Sequence, residues 1–219
     1  LPMRTVEYQV NRFTKAALLG ATALAGLVAV SAHAAEYEPW QTRIGATQKV
    51  QQSAYDGKGV LISVLDTGTN SRHPDFSGAP DAKKSISLVG GNWASDSVGH
   101  GTGVASVAVG RRDGKGMVGV APLSTLSTVK ISADGSASLS SIVKGLRYAA
   151  DQGAHVINLS FGYNGWTPST LYSSGLHDAL RHAASRSVVV ISAGNDGQTK
   201  LNGLAMHLLL DGVAGSGII

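Results

Sequence analysis

The sequence predicts an α/β protein built on a mainly parallel, doubly wound sheet with helices on both faces. Three observations carry this. Short, nearly continuous apolar runs rich in β-branched residues recur at 60–65, 126–131, 155–160 and 188–192, the mark of strands buried on both faces of a parallel sheet. Helix-like windows at 102–110, 139–152 and 171–185 separate them. Strand and helix therefore alternate, the order that crossover connections between parallel strands require.

The elements follow from local chemistry. The first 34 residues are set apart from the fold, because a basic stretch (Arg4, Arg12, Lys15, against Glu7) precedes the apolar run 16–30 and then Ala32-His33-Ala34. That order is the pattern of a cleaved signal peptide, with Leu1 and Pro2 standing ahead of Met3. An uncleaved anchor is the competing reading, for which the run is short against a bilayer core of about 30 Å. Residues 35–57 form a polar approach segment, closed by the turn signal Gly57-Lys58-Gly59. The first strand begins there. In the window that follows the second of the four runs, Leu139, Ile142, Val143, Leu146 and Ala149-Ala150 recur at helical spacing, and Gly153 stands where a helix C′ residue belongs. The chain ends at Ile219 in what reads as the start of another strand, so residues 58–219 are expected to be part of a larger, truncated domain.

Composition narrows the function classes. Hydrophobic residues make up 43% and charged residues 15% of 219, enough apolar material for one globular core. The formal charge is +4, and half of it lies in the first 34 residues, so no nucleic-acid footprint is expected. There is no cysteine, which excludes a disulfide framework, a thiolate zinc site and a thiol nucleophile. Neither a G-x-G-x-x-G turn after the first strand nor a G-x-x-x-x-G-K-[ST] loop is present, and a nucleotide-binding reading fails with them.

In an open parallel sheet, ligands bind beyond the carboxyl ends of the strands. Four segments stand there. The first strand ends in Asp66-Thr67-Gly68, a carboxylate on a rigid terminus with a glycine turn behind it. A helix opens at Gly99-His100-Gly101, where glycines leave the imidazole unobstructed. Further strands end in Ser160-Phe161-Gly162 and in Ala193-Gly194-Asn195-Asp196-Gly197. Asp and His are the supporting pair of nucleophilic catalysis: the carboxylate fixes the imidazole tautomer, and the imidazole takes the nucleophile's proton. An Asn amide can donate to a developing oxyanion. Taken singly, each has a plainer reading: a turn or cap for Asp66, a loop histidine for His100, and an αL-tolerant residue for Asn195.

Five segments, in order, resemble the successive signatures of the subtilisin family of serine proteases. They are Val64-Leu65-Asp66-Thr67-Gly68 with His73-Pro74-Asp75-Phe76, then Gly99-His100-Gly101-Thr102-Gly103-Val104-Ala105, Val118-Gly119-Val120-Ala121-Pro122, Val156-Ile157-Asn158-Leu159-Ser160-Phe161-Gly162 and Ser192-Ala193-Gly194-Asn195-Asp196-Gly197. The resemblance covers about residues 40–200. It implies a secreted serine endopeptidase with a subtilisin-like fold, in which Asp66 and His100 are catalytic and Asn195 serves the oxyanion hole. Asp66 and His100 lie 34 residues apart, close to the family's ~32. The family's Asp-to-Ser interval would place the nucleophile near position ~255, and no Gly-Thr-Ser-Met-Ala-like segment occurs within the 219 residues. The chain alone is therefore expected to be inactive.

The resemblance implies more. Asp134, Gly135 and Ser136 match a segment that pairs with extended substrate, and Ser160, Phe161, Gly162, Ala193 and Gly194 match the pocket for the residue before the cleaved bond. Asp134-Gly135-Ser136 can equally be an ordinary polar turn. No cofactor is implied for catalysis, and Asp75 is the one candidate ligand for a structural calcium. The partners implied are extended polypeptides. The membrane enters only during export, to a secreted, periplasmic or cell-surface location, and a C-terminal translocator or processing domain would lie downstream. One departure stands out: Gly103 occupies the place of a second histidine usual in the family. The other function class weighed is a non-catalytic peptide-binding pseudoprotease.

Overall fold

The computed structural model describes residues 38–161 and 175–195. Five parallel strands, β1 (Leu61–Asp66), β2 (Ile86–Ser87), β3 (Thr125–Lys130), β4 (Val156–Leu159) and β5 (Val188–Ile191), form one sheet in the order β2-β3-β1-β4-β5. The chain places β3 on one side of β1 and β4 on the other. Strand order thus reverses around β1, and the crevice of such a sheet opens at that strand's carboxyl end, where Asp66 is the last residue.

Helices cover both faces, as the sequence predicts. Helix α3 (His100–Val109) packs on one face, where Ala105 and Val109 meet Ile62, Val64, Leu126 and Phe76. Helices α4 (Leu139–Asp151) and α5 (Leu176–Ala184) pack on the other, enclosing Leu65, Val129, Ile131, Ile157 and Val189. Helix α4 starts where the Ser138 hydroxyl accepts from the amide of Ser141 at 3.1 Å, and Gly153 follows its end at φ 77°. Its middle must carry a glycine. A β-carbon on Gly145 would lie 2.9 Å from Ile131 Cγ2 and 3.2 Å from Leu65 Cδ2, so the missing side chain sets how closely α4 meets the sheet.

Two expectations need correction. All six residues of β1 are buried, but β4 and β5 are covered on one face only: Val156, Asn158 and Val190 are part-exposed and Val188 is exposed. Among the described residues, α3 reaches β1 and β3 and leaves this outer stretch open. The approach segment is also more than approach. It forms α1 (Pro39–Arg43) and α2 (Gln48–Gln52), which bury Gln41 and Gln51. The Gln41 amide donates to the Val118 carbonyl at 2.7 Å and that of Gln51 to the Gly119 carbonyl at 2.8 Å. Buried amides are tolerated here because backbone acceptors meet them. The expected signal segment 1–34 lies outside the described residues, among which no helix is long and apolar enough to cross a membrane.

Candidate active site

Asp66 ends β1 with its side chain only 3% exposed, and His100 is the first residue of α3 with its side chain 52% exposed. Imidazole Nδ1 lies 2.8 Å from Asp66 Oδ1 and 3.0 Å from Oδ2. The Asp66 Oδ1 atom also accepts the Thr67 amide at 2.7 Å, which holds the carboxylate against the strand end. With Nδ1–H donated to Asp66, Nε2 is the free lone pair. This is the arrangement that makes an imidazole a general base with a fixed tautomer.

Glycine permits the approach. Gly99 enters the helix at φ 87°, which a β-carbon would strain. At Gly101, an added β-carbon would overlap the carbonyl oxygen of Gly68 and reach 3.0 Å from Asp66 Cβ. Helix and strand end can therefore meet only where one side chain is missing.

His100 lines two cavities. One, of about 420 Å³, runs past Asp66 and Thr67 to Gly135, Ser136, Ser160 and Phe161, with Ile131, Ala137 and Ile142 as apolar wall. The other, of about 800 Å³, is an apolar groove between α3 and the open stretch of β4 and β5. Gly103 faces that groove, and a β-carbon there would meet nothing within 4 Å.

These features coincide with a match in sequence: residues 57–208 match the subtilase family of peptidases. The chain belongs to the subtilase family. Subtilisin BL of Lederbergia lenta is 37% identical over 171 residues, covering 77% of this chain and 60% of the relative. Thermitase of Thermoactinomyces vulgaris is 38% identical over 170 residues, covering 71% of this chain and 56% of the relative. The chain thus spans between about two fifths and three fifths of the length of the curated relatives it matches. Among solved structures, an S41 psychrophilic protease superposes with a TM-score of 0.55 at 32% identity, covering 66% of this chain and 48% of that one.

Within this subtilase, the sequence-predicted residues separate into groups. Asp66 and His100 meet directly. Gly135, Ser136, Ser160 and Phe161 line the same cleft, while Asp134 is exposed beside it and accepts the Ser136 amide at 2.9 Å. The amide of Gly135 donates to Ser132 Oγ at 2.9 Å, and Ser132 pairs with Ala137 across the loop. Two amides that could pair with a substrate strand are thus already bonded within the loop. Ala193, Gly194 and Asn195 are exposed and leave the sheet beyond β5, next to the end of β4, where the Ser192 hydroxyl donates to the Phe161 carbonyl at 3.0 Å. Gly162 lies outside the described residues.

Asp75 is buried, and its Oδ1 accepts the amide of Met117 at 3.4 Å. Among the described residues, no group of three or more His, Asp or Glu is placed to hold a metal ion. The Asp75 carboxylate thus ties its turn to the loop after α3, 42 residues further along the chain.

Sequence reasoning passed over Thr67 and Asp96. Both bond to the first turn of α3, the turn that presents His100. A carboxylate four residues ahead of a helix whose cap is glycine was the available signal.

Proposed function

We propose that this chain supplies the acid–base half of a secreted serine endopeptidase that cleaves extended polypeptides by acyl transfer. The observation that carries the reading is the 2.8 Å contact between His100 Nδ1 and the buried carboxylate of Asp66. A serine hydroxyl near Nε2 would lose its proton to His100 as its oxygen bonds the scissile carbonyl carbon. Asp66 stabilises the imidazolium that results. The same proton then passes to the leaving amine as the C–N bond breaks, and water repeats the cycle on the acyl-enzyme. The amide of Asn195 is assigned to the oxyanion. Each step runs on side chains, so the reading calls for no cofactor.

The nucleophile is assigned to sequence outside these 219 residues, in a Gly-Thr-Ser context near position ~255, and the 219 residues alone are expected not to hydrolyse peptides. The cleft wall of Ile131, Ala137, Ile142 and Phe161 favours an apolar substrate side chain. Export rests on the order of charge, apolar run and Ala32-His33-Ala34 at the N-terminus.

The test is to join the downstream coding sequence to the 219 residues and assay a chromogenic peptide. Hydrolysis that falls about 10⁴-fold in Asp66→Asn supports the reading, since the wrong imidazole tautomer then predominates. A continuation with no serine in that context overturns it. The cleft lined by Gly135, Ser136, Ser160 and Phe161 supports a second reading, peptide binding without cleavage. Binding of a fluorescent peptide by an extended chain that cannot hydrolyse it would select that one.

A further inference from the structure

The first turn of α3 has no cap from its own cap residue. Gly99 fills that position, in the left-handed region and without a side chain, so the orphan amides of the turn need outside acceptors. Asp96 supplies one for Thr102 and holds the hydroxyl of Thr67 that serves Gly101. One of its carboxylate oxygens accepts the amides of Gly99 at 2.9 Å and Val98 at 3.2 Å and the hydroxyl of Thr67 at 2.8 Å. The other accepts the amide of Thr102 at 2.8 Å and its hydroxyl at 2.6 Å.

The two hydroxyls extend the network in opposite directions. Thr67 Oγ1 accepts the amide of Gly101 at 3.0 Å, and Thr102 Oγ1 accepts the amide of Asn70 at 2.9 Å. Thr67 and Asn70 lie on the loop that leaves β1 directly after Asp66. Gly101 and Thr102 are the two residues that follow His100. Asp96 therefore sits between the segments that carry the two members of the pair and holds a hydroxyl from each. Its own loop is anchored in turn: the buried Lys130 donates from Nζ to the Ser95 carbonyl at 2.7 Å, and the Thr69 amide donates to the Trp93 carbonyl at 3.0 Å.

The chemistry suits a fixed anion. Burial alone would push the Asp96 carboxyl upward, but the hydrogen bonds from Thr102, Gly99 and Thr67 together outweigh it and hold the group below its usual range. Its charge also faces the positive end of the α3 dipole.

We propose that Asp96 is the positioning residue of the Asp66–His100 pair, clamping the end of β1 to the start of α3 through Thr67 and Thr102. The proposal rests on the reading of that pair as the catalytic one. Asp96 does not line the cleft, and its hydrogen bonds go to Thr67, Val98, Gly99 and Thr102. It acts on the direction of the Nδ1–H bond, which needs such help because half of the His100 side chain is exposed and its rotation is otherwise open to solvent.

The test uses the full 219-residue chain, isotopically labelled, and reads the His100 Nδ1–H proton by NMR. A proton held between imidazole and a buried carboxylate resonates far downfield and exchanges slowly, and no nucleophile is needed to see it. The expected result is a resonance present in the wild type, lost in Asp66→Asn, lost or moved in Asp96→Ala and Thr67→Val, and kept in Thr67→Ser, which restores the hydroxyl. Retention at the wild-type position in folded Asp96→Ala and Thr67→Val, even with a lowered melting temperature, overturns the proposal and leaves Asp96 as a helix cap alone. Where Asp96→Ala does not fold, Thr67→Val decides, because it keeps the bonds from Asp96 to Gly99 and Thr102. A wild type with no resonance sensitive to Asp66→Asn overturns the reading of the pair itself, and this proposal with it.

Discussion

The carbonyl oxygen of Gly68 fills the space that a β-carbon on Gly101 would need, and Asp66 Cβ closes the same space from the strand side. The loop after β1 and the first turn of α3 are therefore in backbone contact at the point where Asp66 meets His100. Gly101→Ala is expected to lower stability by about 1–3 kcal/mol despite alanine's better helix propensity, because the atoms it strikes are backbone and cannot rotate away. Urea unfolding measures the loss, and a variant as stable as the wild type would show that the two segments have room to part.

Gly103, two residues on, predicts the opposite sign. It is helical and its added β-carbon would meet nothing, so Gly103→Ala should raise stability by about 0.5–1 kcal/mol through reduced freedom of the unfolded chain. A fall in the urea midpoint would mean that the groove beside α3 is filled in solution.

Asp96 gives a pH dependence. Its carboxyl titrates below the ordinary aspartate value of about 3.9 when folded and close to that value when unfolded, so the unfolded chain takes up the proton first as pH falls. The stability it contributes is complete above the unfolded value and is lost as pH drops through the folded one. The difference in unfolding free energy between wild type and Asp96→Asn should therefore be largest near neutrality and shrink below about pH 4. A difference that stays constant from pH 7 to about pH 2.5 would remove the ionised carboxylate as its cause.

Ser63, in the middle of β1, is fully buried, and its hydroxyl has no hydrogen-bond partner among the described residues. An unmet buried hydroxyl costs about 1–3 kcal/mol, so Ser63→Ala is expected to stabilise the fold by about 1 kcal/mol. Thermal unfolding checks it, and a lower melting temperature would show that the hydroxyl finds a partner in solution.

Much of this was legible along the chain. Helix α4 declares itself through Leu139, Ile142, Leu146 and Ala149 and stops at Gly153, because helix periodicity and a left-handed C′ glycine are properties of near neighbours. The ordered segments around Asp66 and His100 likewise named the pair before any geometry was known. The two-residue β2 was not legible, since Ile86 and Ser87 become a strand only by pairing with Val129 and Lys130. Gln41 and Gln51 read as polar approach for the same reason: the carbonyls that bury them lie 77 and 68 residues away.

By itself the sequence determined the alternation of strand and helix and the glycines that flank the histidine, and it singled out Asp66 and His100 as a candidate pair. Tertiary structure decided that, among the described residues, β4 and β5 are covered on one face only, that Nδ1 and the carboxylate stand 2.8 Å apart, and that Asp96 holds both segments through two hydroxyls. The physical reason is range. Propensity and periodicity act over a few residues and are written in order along the chain, whereas a hydrogen bond between residues 29 or 34 positions apart exists only after the sheet has brought their backbones together.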